Sequence, residues 1–476
     1  MKRLLLLVIP LCLAGCVKVG PDFTPPCAPE QEEWIQEDAT DGTHSANAQW
    51  WNCFEDPQLN CLIEVASNQN LTLKAAGMRI LEAKAQLGFV VGEFFPQLQE
   101  ATGNVTRQGI SRNAPNSAFI DRHFYDEFLG FQVAWELDFW GKFRRGIESA
   151  QGSLLATYAS FDDIYVILIA DVASTYIAIR TIEERINIVE KNIALQARSL
   201  EIVTARFNAG AVTELDLSQA KTLLFSTESR LYELEALLRD AQNALTTLLG
   251  VTPAQLTCYL DKGNKIPSPN THVISAGVPA ELLYRRPDVR QSLYEAAAQS
   301  AKIGIAYADF FPQISISGLI GLQNAAGATS SRVAGNQKFF SADSFTFSVG
   351  PGFRWPILNY GRITNRVRFE QARFLELVAD YQNSVLLAYQ EVESGLSAFV
   401  NAQYEVEKLI ESAKAALRAT QLARTQYVEG IADYTRVLNT EESLLNEEER
   451  LVEGKGKIAL SLVATYRSLG GGWRCH

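Results

Sequence analysis

The stretch EFFPQLQ, at residues 93–99, returns almost unchanged as DFFPQIS at residues 309–315. The two copies lie 216 positions apart, and neither contains a residue pattern typical of a catalytic site. A phrase repeated at this distance indicates a duplicated structural unit. The repeat therefore predicts that much of the chain is written twice.

The similarity between the two halves extends well beyond this phrase. At an offset of 220 positions, Trp135 aligns with Trp355, and Gly141 aligns with Gly361. Further along, RFNAG at residues 206–210 aligns with QYVEG at residues 426–430. An offset maintained over this length indicates duplication of one unit.

Each half begins with a helix and continues with two strands. Helices are predicted over about residues 72–93 and from Pro287 onward, because proline suits the first turn of a helix. Pro96 and Pro312 end these helices, since proline donates no amide hydrogen. Alternation of apolar and polar residues then predicts strands near residues 98–108, 129–137, 313–322 and 345–355.

Each half then continues with an exceptionally long helix. Residues 142–207 and 362–429 contain no proline. About 65 helical residues span roughly 95 Å at 1.5 Å per residue, so these helices must pack lengthwise against others, as in a coiled coil. The glycines Gly210 and Gly430 are predicted to end them, and second helices follow over about residues 213–249 and 433–469.

The predicted strands raise a question of closure. Aromatic residues at strand ends suit the interfaces of a membrane barrel, but the smallest membrane barrels have about eight strands. Either these strands form no membrane barrel, or several chains contribute to one. Three chains would supply about twelve strands and a bundle of long helices.

Composition excludes several classes of function. The formal net charge of −11 argues against nucleic acid as a partner, because nucleic acid requires a basic face. The apolar run at residues 164–170 is bounded by Asp163 and Asp171 and is too short for a transmembrane helix. The histidines are scattered without metal-ligand spacing, so neither a metal site nor a cofactor is expected.

The first residues predict export and lipidation. Lys2 and Arg3 precede an apolar run, which is typical of a signal peptide. The sequence LAGC at residues 13–16 resembles a bacterial lipobox, which implies that Cys16 is acylated; the alternative is an ordinary signal peptide that contains a cysteine. One or two disulfides are possible in an oxidising envelope, but sequence does not pair the remaining cysteines. These are Cys27, Cys53, Cys61, Cys258 and Cys475.

These observations divide the chain into six segments. The signal peptide covers residues 1–15, and a lipidated linker with the start of an equatorial region covers residues 16–60. The first repeat occupies residues 61–250 and the second occupies residues 281–470. An inter-repeat linker at residues 251–280 and a tail at residues 471–476 complete the chain.

Several phrases together resemble one family. Besides the lipobox, they are VGPDFTPP at 19–26, WW at 50–51, ELLYRRPDVRQSLYEAAA at 281–298, FFPQI at 310–314 and PILNYGRI at 356–363. They resemble the outer membrane factors, or TolC-like channel-tunnel proteins, in the lipoprotein branch that serves tripartite efflux systems.

The resemblance implies an α+β membrane protein that is not an enzyme. It implies a homotrimer with one twelve-stranded outer membrane β-barrel, continued by a helical coiled-coil tunnel into the periplasm. A periplasmic adaptor protein, an inner membrane RND-type pump and outer membrane lipid are the implied partners, and small molecules such as drugs are the implied cargo. A duct for protein (type I) secretion and a periplasmic coiled-coil adaptor lipoprotein are the alternatives.

The resemblance also implies a gate at the periplasmic tip, directly after Gly210 and Gly430. There it implies a bond from Asp216 to Tyr427 that favours the closed state. The positions at which the family carries an acidic ring read Arg436 and Asn439 here. The ring is therefore either absent or supplied by Glu429 or Asp433.

The repeated phrase is expected at the helix-to-barrel junction, on the periplasmic rim. Its aromatic residues would supply apolar bulk, and its prolines would force the change from helix to strand. The junction residues are Phe94, Phe95, Pro96, Phe310, Phe311 and Pro312.

Overall fold

The computed structural model describes residues 18–29, 34–35, 49–111, 113, 122–261, 265–269, 285–326 and 338–472. The signal peptide, the predicted acylation site Cys16 and the last cysteine, Cys475, lie outside the described residues.

The described elements follow the predicted order in both halves of the chain. The first half contains α1 (Pro57–Gln69), α2 (Leu71–Gly92), β1 (Leu98–Gly109), β2 (His123–Glu136), α3 (Lys142–Asn208), α4 (Glu214–Leu249) and the short α5 (Pro253–Leu256). The second half contains α6 (Pro287–Ala308), β3 (Gln313–Ala326), β4 (Phe345–Arg354), α7 (Arg362–Val428) and α8 (Tyr434–Ser468).

Helix α1 is an element that the sequence pattern did not predict. The carboxylate of Asp56 caps it by accepting hydrogen bonds from the amides of Gln58 and Leu59, and Pro57 fills its first position. An N-cap carboxylate followed by proline is a helix-start signal.

The four strands form one antiparallel sheet in the order β1-β2-β3-β4. Strands β2 and β3 pair across the two repeats, with Trp135 opposite Ile316. Strands β1 and β4 each have one edge without a neighbour in the described chain.

The two faces of this sheet differ in chemistry. One face presents apolar side chains to the outside, and these remain exposed: Val105, Leu129, Phe131, Ile316, Ile320, Phe345, Phe347, Val349 and Phe353. The opposite face carries mainly small or polar side chains, among them Thr102, Asn104, Gln132, Ser315, Ser317, Thr346 and Ser348. Alternation along each strand produces this division.

The two copies of the junction differ by one residue in strand register. Leu98 lies opposite Ala134, whereas Gln313 rather than Ile314 lies opposite Arg354. The side chain of Gln97 takes the place of a strand residue, since its Oε1 accepts a hydrogen bond from the Glu136 amide at 2.7 Å. A shift of one residue reverses the faces of a strand, so Leu98 and its counterpart Ile314 lie on opposite faces of the sheet.

The chain forms two compact units, and neither coincides with a sequence repeat. The first unit contains the sheet and is built from residues 18–26, Ile80–Thr157 and Ser292–Asp380. The second unit is helical and is built from Cys27–Arg79, Tyr158–Gln291 and residues 381–472. Each unit therefore takes segments from both repeats.

Helix α3 is long and apolar enough, by length and composition alone, to pass for a membrane span. However, 56% of its most apolar window is buried inside the protein. This burial is typical of a core helix.

The N-terminal segment is held against the start of α3 within the first unit. The amide of Val19 donates to the Trp140 carbonyl at 3.1 Å. The fully buried Arg145 donates to the carbonyls of Val19 and Gly20 and pairs with Asp22 at 3.0 Å. A buried guanidinium with several partners fixes the position of this segment.

Candidate functional site

The long helices α3 and α7 end in the same backbone motif. Gly210 and Gly430 adopt the left-handed conformation, with φ of 70° and 82°. The amide of Ala211 donates to the Arg206 carbonyl at 2.9 Å, and that of Ile431 donates to the Gln426 carbonyl at 2.8 Å. This pattern is a Schellman motif, in which glycine is favoured because it has no Cβ. The motif reverses the chain at both turns.

The helices that follow the turns are capped in two different ways. The hydroxyl of Thr213 and the carboxylate of Asp216 form a capping box at the start of α4. At the equivalent place in α8, the carboxylate of Asp433 accepts from the Arg436 amide at 3.3 Å. Asp216 and Asp433 therefore both stabilise the first turn of a helix.

One hydrophobic cluster joins the two helix hairpins within the second unit. It is built from all four helices, and its buried members are Val203, Ala220, Ala423, Tyr427, Tyr434 and Val437. The rings of Tyr427 and Tyr434 meet edge to face at 5.6 Å. The two helix hairpins thus share one hydrophobic cluster next to their turns.

Arg206 links the first hairpin to the second, which sequence reasoning did not predict. Its Nη2 donates to the Val428 carbonyl at 3.0 Å, and its guanidinium lies 4.6 Å from the centre of the Tyr427 ring. A cation at the end of a helix is favourable, so a basic residue near a helix-ending glycine was an available signal. Its actual partner is the C-terminus of the other long helix.

The predicted bond from Asp216 to Tyr427 is absent from the described chain. The carboxylate of Asp216 is occupied by the Thr213 amide and hydroxyl, each at 3.0 Å, and the buried Tyr427 hydroxyl has no hydrogen-bond partner among the described residues. Burial raises the pKa of Tyr427, the charge of Asp216 raises it further, and Arg206 opposes the rise. Asp216 therefore caps α4 in this structure and makes no bond to Tyr427.

The predicted acidic residues at the second turn, Glu429 and Asp433, are exposed, and so are Arg436 and Asn439. A different acid lies inside the hairpins. Glu441 is fully buried, accepts a hydrogen bond from the Ser199 hydroxyl and lies 3.8 Å from the Arg424 Nε. Burial raises its pKa. The sequence pattern of α8 gave no signal for this residue, because its partners lie on other helices.

The junction phrase makes the same contact in both copies. The Trp135 indole donates to the Phe94 carbonyl at 3.1 Å, and the Trp355 indole donates to the Phe310 carbonyl at 2.9 Å. Each tryptophan therefore ties the end of one strand to the end of the preceding helix. The repeat thus preserves a structural joint.

A second junction contact occurs in one copy within the chain. The Trp140 ring stacks on Phe311 at 4.5 Å, and its indole donates to the Pro312 carbonyl at 2.9 Å. The corresponding Phe95 is 57% exposed, and Phe94 and Pro96 are half-buried.

A polar cavity of about 160 Å³ lies elsewhere in the helical unit. Asp163, Arg286, Asp288, Glu391 and Arg467 line it. Arg286 holds Asp288 through two hydrogen bonds of 3.0 and 2.7 Å. The sequence RRPDVR therefore provides a structural ion pair at the start of α6.

The described cysteines, Cys27, Cys53, Cys61 and Cys258, are all free. No disulfide joins any two of these four, although the sequence left that possibility open. Burial raises the pKa of the Cys53 thiol to about 12, which keeps it protonated. The described ranges contain no group of three or more potential metal ligands.

Comparison with known proteins identifies the family of this chain. The sequence model described as "Outer membrane efflux protein" matches residues 62–251 and 278–471. The solvent efflux pump outer membrane protein SrpC of Pseudomonas putida is 30% identical over 476 residues, covering 97% of each chain. A probable outer membrane lipoprotein, SilC of Salmonella typhimurium, is 26% identical and covers 97% of this chain and 96% of its own.

Solved structures agree in fold. The outer-membrane channel OprN superposes with a TM-score of 0.86 at 30% identity, covering 96% of this chain and 99% of its own. The Campylobacter jejuni CmeC outer membrane channel, at 23% identity, shares the fold with a TM-score of 0.87 over 96% of this chain. On sequence and on structure, the chain belongs to the outer membrane efflux protein family.

Proposed function

We propose that three copies of this chain form one export duct through the outer membrane, with a twelve-stranded barrel continued by helices into the periplasm. The observation that carries this proposal is the sheet, which among the described residues has four strands, an exposed apolar face and two edges without a neighbouring strand. The proposed role of the duct is the passage of small molecules, without catalysis.

Physical chemistry favours closure by several copies. A strand edge inside hydrocarbon leaves amides and carbonyls unsatisfied, so a membrane sheet must close into a barrel. Four strands are too few, because the smallest membrane barrels have about eight. Three copies supply about twelve strands and pair every edge.

The two faces of the sheet then have distinct roles. The apolar face, which includes Phe347 and Val349, lies against lipid, and the polar face, which includes Thr102 and Ser317, lines the lumen. An apolar outer band and a polar interior are the pattern of such barrels.

The N-terminal segment supports lipid anchoring. Val19 is bound beside Trp140, just past the end of β2, and only a few residues separate it from Cys16. At about 3.5 Å per residue, that distance is roughly 10 Å. We propose on this basis that acyl chains on Cys16 anchor the chain in the outer membrane.

Small molecules are the proposed cargo, because a relative that matches nearly the whole chain is named a solvent efflux pump outer membrane protein. A periplasmic adaptor and an inner membrane RND-type pump are the proposed partners. Family membership makes the periplasmic adaptor interpretation wrong, because the family is one of outer membrane efflux proteins. Protein secretion remains the second candidate, and no described residue favours it.

The gate is proposed at the two hairpin turns. The Arg206 link to Tyr427 and Val428 holds them together, and Asp216 caps the helix that follows the first turn. The exposed acids Glu429 and Asp433 face solvent and are available to passing cargo.

A pair of arginine substitutions on β4 tests the proposed barrel. Val349 and Ser348 are adjacent in the middle of the strand and point to opposite faces. We expect Val349→Arg to remove the heat-modifiable trimer from the outer membrane fraction, because arginine facing lipid costs about 2–4 kcal/mol per site at the bilayer midplane.

Ser348→Arg is the matched control, because a charge in an aqueous lumen carries no such cost. We expect it to assemble as trimer and to alter ion selectivity in a planar bilayer. Equal assembly of the two variants would contradict a lipid-facing β4.

A further inference from the structure

A contact that covers the end of β2 inside the chain has no counterpart at the end of β4, the equivalent strand of the second repeat. In the first repeat, the segment that begins at the end of β2 (residues 136–141) is covered by residues 311–314, around the start of β3. The amide of Leu137 donates to the Ile314 carbonyl at 2.8 Å, and Trp140 stacks on Phe311. These contacts cross from one repeat to the next within the chain.

The corresponding segment after β4 (residues 356–361) has no such cover. Its apolar side chains Ile357, Leu358 and Tyr360 are 72%, 82% and 96% exposed. Tyr360 also holds a positive φ of 49°, in the left-handed region that side chains other than glycine rarely adopt. By the offset of 220, Tyr360 stands where Trp140 stands in the first repeat.

The matching half of the contact is exposed at the other edge of the sheet. Phe311 aligns with Phe95 in the repeated phrase, and Pro312 aligns with Pro96. Phe95 is 57% exposed and lies just before the free edge strand β1. The chain therefore presents an exposed aromatic side chain at each edge of the sheet, Tyr360 after β4 and Phe95 before β1.

We propose that Tyr360 of one copy stacks on Phe95 of a second copy, and so closes the joint between β4 and β1 of neighbouring copies. The second copy is the partner because it carries the phrase that covers the equivalent segment inside the chain. The proposal rests on the assembly proposed above and adds the residues that hold it together.

Strand register agrees with this aromatic contact. Ala134 lies opposite Ser317 in the pairing of β2 with β3. Arg354 and Thr102 occupy the equivalent positions once the one-residue shift at β1 is included. This register keeps polar residues opposite polar residues, and the apolar face continues from copy to copy.

A cross-linking experiment tests the contact. The variant Phe95→Cys/Tyr360→Cys is made in full-length protein in which Cys27, Cys53, Cys61, Cys258 and Cys475 are serine and Cys16 is kept. Outer membranes are treated with a short bis-maleimide and run on a denaturing gel after boiling. We expect covalent dimers and trimers, which neither single variant forms.

The control pair is Phe95→Cys/Phe345→Cys. Phe345 is an exposed aromatic at the opposite end of β4, roughly 30 Å along the strand at about 3.3 Å per residue. Trimer without cross-linking of the 95–360 pair would overturn the aromatic contact and leave the proposed duct intact. Absence of any trimer from wild-type protein would instead overturn the duct itself.

Loss of both rings can by itself prevent assembly, so a second measurement uses single substitutions. We expect the wild-type trimer and Tyr360→Phe to dissociate at similar temperatures in detergent, and Tyr360→Ser to dissociate at a lower one. Phe340→Ser, at another exposed aromatic, is the control and should be unchanged. Dissociation of Tyr360→Ser at the wild-type temperature would contradict the proposed stacking.

Discussion

The carboxyl group of Asp163 shares its polar cavity with two further acids and two arginines. Its pKa rises from 3.8 to about 6, first because of burial and then because of the charge of Asp288; Arg286 and Arg467 oppose the rise, and Glu391 adds to it. Between these two values, the folded chain holds a proton that the unfolded chain releases. The contribution of Asp163 to stability therefore falls as pH rises through this window.

This sign leads to a prediction for Asp163→Asn. Above about pH 6, the substitution removes an unfavourable buried charge and should stabilise the protein by about 1 kcal/mol, since solvent screens part of the group. We expect the thermal unfolding midpoint in detergent to rise by about 2 °C near pH 8 and to stay nearly unchanged at about pH 3.5, below the window in which Asp163 loses its proton.

Glu190→Gln is the control, because Glu190 is exposed on the same helix. It should leave the midpoint unchanged at both values of pH. A rise for Asp163→Asn that is equal at both pH values would show that the charge is not its cause.

The sequence predicted which residues end the helices better than it predicted which residues meet. Gly210 and Gly430 are fixed by a local conformation, so sequence reasoning placed them. Arg206 and Glu441 acquire their partners from other helices, and spacing along one helix holds no information about such contacts. The bond from Asp216 to Tyr427 was implied by the family resemblance, and it is absent within the described chain because the local partner Thr213 occupies that carboxylate.

The two helix hairpins are joined at their turns by packing and by one cation. Removing the Arg206 guanidinium takes away the contact with Tyr427 and the hydrogen bond to Val428. At a partly exposed site this loss is worth about 1 kcal/mol, which shifts a two-state equilibrium about fivefold. We expect Arg206→Ala to increase the open fraction of the channel by about this factor in planar-bilayer recordings.

Two comparisons make this gate experiment specific. Lys221→Ala removes an exposed cation from α4 and should leave the open fraction unchanged. Asp216→Ala removes the charge beside Tyr427 together with a helix cap, and it should also increase opening. If neither Arg206→Ala nor Asp216→Ala opens the channel, the turns are not the gate.

Most elements could be predicted from periodicity and from breaker residues. The absence of proline and the glycines that end both segments predicted α3 and α7 to within a few residues, because breaker residues limit the length of a helix. Helix α1 was missed, since its start depends on the local cap at Asp56. The register of β1 was also missed, because it depends on the Gln97 side chain, which alternation does not reveal.

At the scale of the whole molecule, each repeat contributes two neighbouring strands to the sheet, but the repeats do not coincide with the two compact units. The repeats meet at the pairing of β2 with β3, and each unit combines segments from both. In the part of the chain that the structure describes, both outer strands leave an edge open, and such edges are templates for pairing with another chain. The exposed apolar face indicates that this sheet sits in lipid.

The number of chains in the assembled protein tests the proposed twelve-stranded duct most directly. Full-length protein is extracted from the outer membrane in mild detergent, and its mass is measured by native mass spectrometry, with the detergent removed in the gas phase. The predicted result is a single closed species of three chains, which on insertion conducts as one channel in a planar bilayer. A monomer, or an assembly of any other number of chains, would contradict the twelve-stranded duct.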